Sequence, residues 1–191
     1  MRLFVAVEIA PRLAVAAGAV LDELRRRAER LAPRARMTWV APERLHLTVA
    51  FIGDSNEARA RSIRRALEPP VGVPPFTLTV AGLGAFPKAG PPRVLWAGLT
   101  DGRERLVRLE RAVASRLADA RPAPEPRTYN PHLTLARVRE AAGLRTGALF
   151  DGLADEVIGT FAVEAVTLFD SRLSSKEPTY VPLQRTVLQE A

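Results

Sequence analysis

No cysteine occurs anywhere in the chain. That excludes disulfides, thiolate metal sites and nucleophilic cysteine chemistry together. Lysine is almost as scarce: Lys88 and Lys176 are the only two, so arginine carries nearly all the cation behind the formal charge of +7. A basic excess attracts polyanions and guanidinium suits bidentate phosphate contacts, although solvated surface charge would leave the same composition. No apolar run approaches the roughly 18 residues needed to span a bilayer. The opening MRLFVAVEIAPRLAVAAG mimics a signal peptide, but Glu8, Pro11 and Arg12 break it. It is expected to be the first strand of the mature fold of a cytoplasmic protein. There is no low-complexity tract, and no glycine-rich strand-to-helix turn that would hold a nucleotide pyrophosphate.

What is present suits a globular chain. The 191 residues are 47% hydrophobic, enough for a sizeable core in one domain or in two closely packed lobes. Arg2 to Ile9 reads as a strand. From Pro11, the residues Leu13, Ala17, Val20, Leu24 and Leu31 recur at helical spacing until Pro33. A short extended piece, Met37 to Val40, precedes a strand from Leu45 to Ile52. Asp54 or Ser55 is the expected cap of a second helix carrying Ile63 and Leu67. Phe76 to Val80 and Arg93 to Leu99 read as strands around a turn-rich segment, Gly82 to Pro92, expected to be a surface loop. Asp101 opens a third helix with Leu106, Leu109, Val113 and Leu117 on one face. Arg121 to Pro126 is linker-like. Tyr129 to Val138, Phe161 to Phe169 and Tyr180 to Leu188 are the remaining strands, with a weak helix around Leu144 to Leu153. Runs of strands between separated helices favour an α+β fold with antiparallel sheets.

The chain's two histidines open nearly the same segment, HLTVAF at His46 and HLTLAR at His132. A given histidine would be followed by Leu-Thr by chance on the order of once in a hundred, so two of two indicates an internal repeat. In a strand, alternate residues share a face. His46, Thr48 and Ala50 are therefore expected together, as are His132, Thr134 and Ala136. Leu47, Val49 and Phe51, with Leu133 and Leu135, are expected to point the other way into apolar cores. If the strands face one cleft, two imidazoles and two hydroxyls converge. One neutral and one charged imidazole can accept and donate protons near neutrality, while threonine hydroxyls bind phosphate oxygens. Arg137 is a second-rank phosphate ligand, because strict alternation turns it away from His132 unless the strand bulges. Among the aromatics, Trp39, Trp96, Tyr129 and Phe51 are core or rim residues, or platforms for a base at a single-stranded RNA end.

Other readings explain less. A zinc site lacks HxH, HExxH, cysteine or clustered carboxylates beside either motif, so no metal is assigned. A serine-type triad uses one histidine and leaves the repeat unexplained.

With the repeat in hand, the chain resembles the two-histidine phosphoesterase superfamily. Within it, the chain is most similar to the RNA 2′,3′-cyclic phosphodiesterases, historically called 2′-5′ RNA ligases. The segments RLFVAVEI, TWVAPERLHLTVAFIG, GLGAFPKAGPPRVLWAGL, YNPHLTLARV and FAVEAVTLFDSRLS carry the likeness, with a closing Tyr180. The resemblance implies a bilobal, pseudo-symmetric fold over residues 1–191, with antiparallel sheets lining a central cleft, helices outside and one HxT motif per lobe. It implies catalytic roles for His46 and His132 and phosphate binding by Thr48, Thr134 and Arg137. No cofactor is implied, and the partners are RNA ends or nucleotides bearing a 2′,3′-cyclic phosphate, bound by a monomer with no tie to a membrane. By this analogy His132 activates water and His46 protonates the departing 3′ oxygen, although pseudo-symmetry permits the reverse. Two features depart from the family pattern: Met37 replaces a common basic residue, and Gln184-Arg185-Thr186 stands where a tryptophan is frequent. The same residues would serve 2′-5′ ligation in reverse, and a non-catalytic RNA-binding module would keep the charge without needing two imidazoles.

Overall fold

A computed structural model describes residues 1–120, 129–172 and 178–190. The linker-like run Arg121 to Pro126 lies outside the described residues. The chain begins with β1 (Arg2–Glu8), whose alternation sorts two faces: Leu3, Val5 and Val7 enter the main core, while Phe4 and Ala6 join Phe169 on the other side. Helix α1 (Pro11–Leu31) starts with proline in its first turn, where a missing N–H costs no hydrogen bond. Its buried stripe is Leu13, Ala17, Leu21, Leu24 and Ala28. Val20 sits to the side of that stripe, whereas Leu31, at the same angle as Leu13, is exposed because it is the last residue of the helix.

Next come β2 (Arg36–Trp39), β3 (His46–Asp54) and α2 (Glu57–Leu67). The cap of α2 is Asn56, not Asp54 or Ser55; its side-chain oxygen accepts the Arg59 N–H at 2.9 Å. Asp54 is held in β3 by pairing with Arg2. A two-residue strand, β4 (Val71–Gly72), carries no signal in the sequence and runs parallel to the last strand. Strand β5 (Phe76–Phe86) continues through half of the expected loop, because β6 (Val94–Leu99) offers Leu83 to Phe86 a ladder to pair with. Helix α3 (Arg103–Arg116) buries Leu106, Leu109 and Val113. The rest are β7 (Leu133–Glu140), a single turn α4 (Thr146–Leu149), β8 (Val157–Val163), β9 (Ala165–Arg172) and β10 (Thr179–Gln189). The expected strand Phe161 to Phe169 is thus two strands, broken at Glu164.

The fold is α+β, and the strands form one hydrogen-bonded path in the order β4-β10-β9-β1-β3-β7-β6-β5-β8, with β2 beside β7. Apart from β4, every pairing is antiparallel. Four strands on each side, β10-β9-β1-β3 and β7-β6-β5-β8, make two lobes that meet at the pair Leu47–Leu133. The lobes are not successive halves of the chain. Both termini build the first, because β9 returns to β1 through Phe4–Phe169, and the middle builds the second. Helices cross over as well: α1 packs on β8, with Arg12 donating to the Thr160 carbonyl at 3.3 Å, and α3 packs on β3. One apolar core lies between helices and sheet. The opposite face carries the histidines. No helix among the described residues is long and apolar enough to cross a membrane.

Candidate active site

The site is set by the register around Leu47 and Leu133. Both side chains are fully buried on the helix side. In an antiparallel ladder, one step in each direction sets His46 toward Thr134 and Thr48 toward His132. The two motifs therefore meet head to tail on the open face, related by a local pseudo-twofold.

Strict alternation fails beyond the threonines, and it fails in the same way in both copies. The partners of β3 shift between Val5–Ala50 and Ala6–Thr48, so Val49 and Ala50 are both directed into the core. On β7 the shift falls between Leu95–Ala136 and Trp96–Thr134, and Leu135 and Ala136 are both buried. Each bulge adds one residue and reverses the parity of the residues that directly follow it. Ala50 and Ala136 consequently leave the histidine face. Phe51 does not enter the core; it pairs with Phe4 on the open face and is 66% exposed. Arg137, exposed, arrives on the same face as His132 and Thr134 by the same device. Phe51 and Arg137 are thus equivalent positions, one aromatic and one cationic.

Both imidazoles are held alike. His46 Nδ1 lies 2.8 Å from the Arg44 carbonyl, and His132 Nδ1 lies 2.7 Å from the Asn130 carbonyl. A carbonyl only accepts, so Nδ1 carries the proton and Nε2 is the lone-pair nitrogen of each neutral ring. Phe4 and Tyr180 pack on His46 at 5.1 and 5.2 Å, and Phe86 stands edge-on to His132 at 5.1 Å. Burial among these rings pushes both imidazoles below the ordinary histidine range; the carbonyl bonds oppose that, and the Arg137 guanidinium adds to the lowering of each. A single cation thus faces both rings. The Thr48 and Thr134 hydroxyls are half-buried and have no hydrogen-bond partner among the described residues.

Of the aromatics singled out in sequence, Tyr129 is spent on structure: partly buried against the core, it donates its hydroxyl to the Thr48 carbonyl at 2.9 Å. Burial pushes that hydroxyl's pKa up, so it remains a donor. Trp39 lies under the Arg25 guanidinium at 5.8 Å on α1, away from the histidines. Trp96 reaches the site, paired with Thr134. Sequence reasoning missed the ring contacts of Phe4 and Phe86. It also missed Glu8, which pairs with His46 and accepts the Thr167 hydroxyl at 2.7 Å. The even-numbered positions of β1 held the available signal, since they continue the face that Glu8 shares with His46.

Comparison with known proteins agrees with this geometry. A family model described as the 2′-5′ RNA ligase superfamily matches residues 16–173, spanning both motifs. An RNA 2′,3′-cyclic phosphodiesterase of Aeropyrum pernix is 33% identical over 148 residues, covering 77% of this chain and 84% of that protein. A crystal structure of a Thermus thermophilus protein superposes with a TM-score of 0.79 at 26% identity, covering 100% of this chain and 99% of the other. Escherichia coli LigT complexed with 3′-AMP gives 0.71 at 25% identity, over 99% and 98% of the two chains. On the family match and the Aeropyrum likeness together, this chain belongs to the 2′-5′ RNA ligase superfamily.

Proposed function

We propose that the protein opens 2′,3′-cyclic phosphates at RNA ends, leaving a 2′-phosphomonoester, with His46 and His132 as a metal-independent acid–base pair. The observation that carries this reading is the shared one: two imidazoles with Nδ1 bound to carbonyls, flanking one buried leucine pair, with Arg137 facing both. A cyclic phosphodiester is an anion whose charge grows on attack, so a guanidinium and two hydroxyls stabilise it without adding negative charge. Proton transfer needs one base and one acid on opposite sides of phosphorus, which a head-to-tail pair supplies. In the forward step His132 Nε2 takes a proton from water as its oxygen bonds to phosphorus. The P–O3′ bond breaks, and the 3′ oxygen takes the proton held on His46 Nε2. Solvent then restores the starting protonation of both rings.

The 3′-AMP complex of the Escherichia coli relative supports a ribonucleotide phosphate as ligand. Phe51 offers the terminal base an exposed aromatic face beside Thr48. All these groups come from one chain, which supports a monomeric enzyme. In roughly 55 M water hydrolysis outruns ligation unless a second RNA end is positioned at the site. The test is incubation of a short RNA with a 2′,3′-cyclic end in EDTA, using the unaltered protein, His46→Ala and His132→Ala. A 2′-phosphate end should appear with the unaltered protein alone. Survival of the cyclic end there, with and without added divalent metal, would overturn the proposal.

A further inference from the structure

A second feature, at the edge of β5, is not used by the two histidines. Beside the second lobe lies a cavity of about 480 Å³, walled by Leu83 to Ala85 of β5, Trp96 of β6, the segment around Lys88 and the residues around α4. That volume is in the range of small-ligand sites. Its floor is Trp96. The indole lies flat across the backbone of β5, because Gly84, its ladder partner, has no side chain; a Cβ there would collide with the six-membered ring. The Trp96 Nε1–H is buried and has no hydrogen-bond partner among the described residues. A buried donor left unpaired is unfavourable by an amount comparable to a hydrogen bond, so it marks where an acceptor belongs.

The cavity is continuous with the chemistry. Trp96 pairs with Thr134, and Phe86 packs on Trp96 at 5.1 Å and on His132 at 5.1 Å. Trp96 and Phe86 thus link it to the second HxT motif, on the side of the leucine pair opposite Phe51. Lys88, exposed, and Asp151 on the α4 side also line it. A flat aromatic floor with a buried, unpaired donor, one cation and one carboxylate suit a nucleobase with its phosphate better than an apolar guest.

We infer that this cavity holds the nucleotide on the 5′ side of the cyclic end, making the enzyme read two residues of RNA. This rests on the proposed function: with the terminal base on Phe51, the 5′ continuation of the strand leaves across the second lobe. The penultimate base lies against Trp96 and accepts its Nε1–H, and Lys88 meets the intervening phosphate.

The test uses the stable products as probes and the two indole N–H signals of the unaltered protein, those of Trp39 and Trp96, in a proton–nitrogen correlation spectrum. Trp96→Phe assigns its signal. The dinucleotide adenylyl-adenosine 2′-phosphate should move the Trp96 signal, and adenosine 2′-phosphate should leave it in place at the same fractional saturation. In parallel, kcat/KM for the dinucleotide cyclic phosphate should exceed that for the mononucleoside cyclic phosphate. Trp96→Phe should reduce that ratio by roughly fivefold, the worth of one hydrogen bond. A Trp96 signal that stays fixed with saturating dinucleotide, or that moves equally with the mononucleotide, overturns the inference. Absence of turnover on any cyclic phosphate would instead overturn the proposed function, while a moving Trp96 signal would leave the pocket assignment standing.

Discussion

Leu47 and Leu133 face one another across β3 and β7, and this pair places the two histidine motifs head to tail. Each leucine comes directly after its histidine in sequence and is fully buried, so the apolar contact beneath the sheet sets the register of the polar groups above it. Removing one side chain should loosen both. Leu133→Ala is expected to lower stability by about 3 kcal/mol, as for large-to-small changes in packed cores. Denaturant unfolding measures this, and a loss under about 1 kcal/mol would show that the contact does not hold the lobes in register.

Arg137 faces both imidazoles and disfavours their charged forms. A general base must be neutral to work, so a lowered pKa places the rising limb of the kcat/KM profile below the ordinary value of 6.5. Arg137→Gln should move that limb to higher pH, though not fully to 6.5, since burial is the larger cause. It should also reduce kcat/KM roughly a hundredfold by removing charge stabilisation from the phosphate. An unmoved limb would mean that the guanidinium does not act on the rings.

The same lowering has a sign for stability. The unfolded chain binds more protons than the folded one between 6.5 and the lower folded values, so stability falls as pH drops through that window. Thermal unfolding followed from about pH 7 to about pH 5 should show a falling Tm. The double variant His46→Gln, His132→Gln should show a shallower fall; an identical slope would refute the assignment.

Tyr129 ties the loop before the second motif to the strand of the first through its bond to the Thr48 carbonyl. Tyr129→Phe keeps the ring and deletes the donor. The expected loss is about 1 kcal/mol of stability, with KM raised more than kcat is lowered. A change confined to kcat would indicate that the hydroxyl takes part in the chemistry.

Phe51 is exposed and supports no core. Phe51→Ala should therefore leave stability within about 0.5 kcal/mol. KM for a cyclic-ended RNA should rise about tenfold, within the range of one base–aromatic stack. Retained KM would remove Phe51 from the substrate's path.

Much of this protein is legible along the chain because the signals are local. Helix α3 obeys its own periodicity at Leu106, Leu109 and Val113, and the duplicated His-Leu-Thr segments mark the candidate site residues without any fold. The cap at Asn56 and the length of β5 are not legible there, because capping depends on where the preceding strand stops and strand length on the partner alongside. What the sequence by itself determined is the set of chemical groups: two imidazoles, two hydroxyls and an arginine-borne positive charge. Only the tertiary structure decided which of them share a face. The bulges at Val49–Ala50 and Leu135–Ala136 are relations between strands, invisible to a period of two. They bring Phe51 and Arg137 onto the histidine side because a core packed around both residues of each bulge leaves the next side chain no other direction to take.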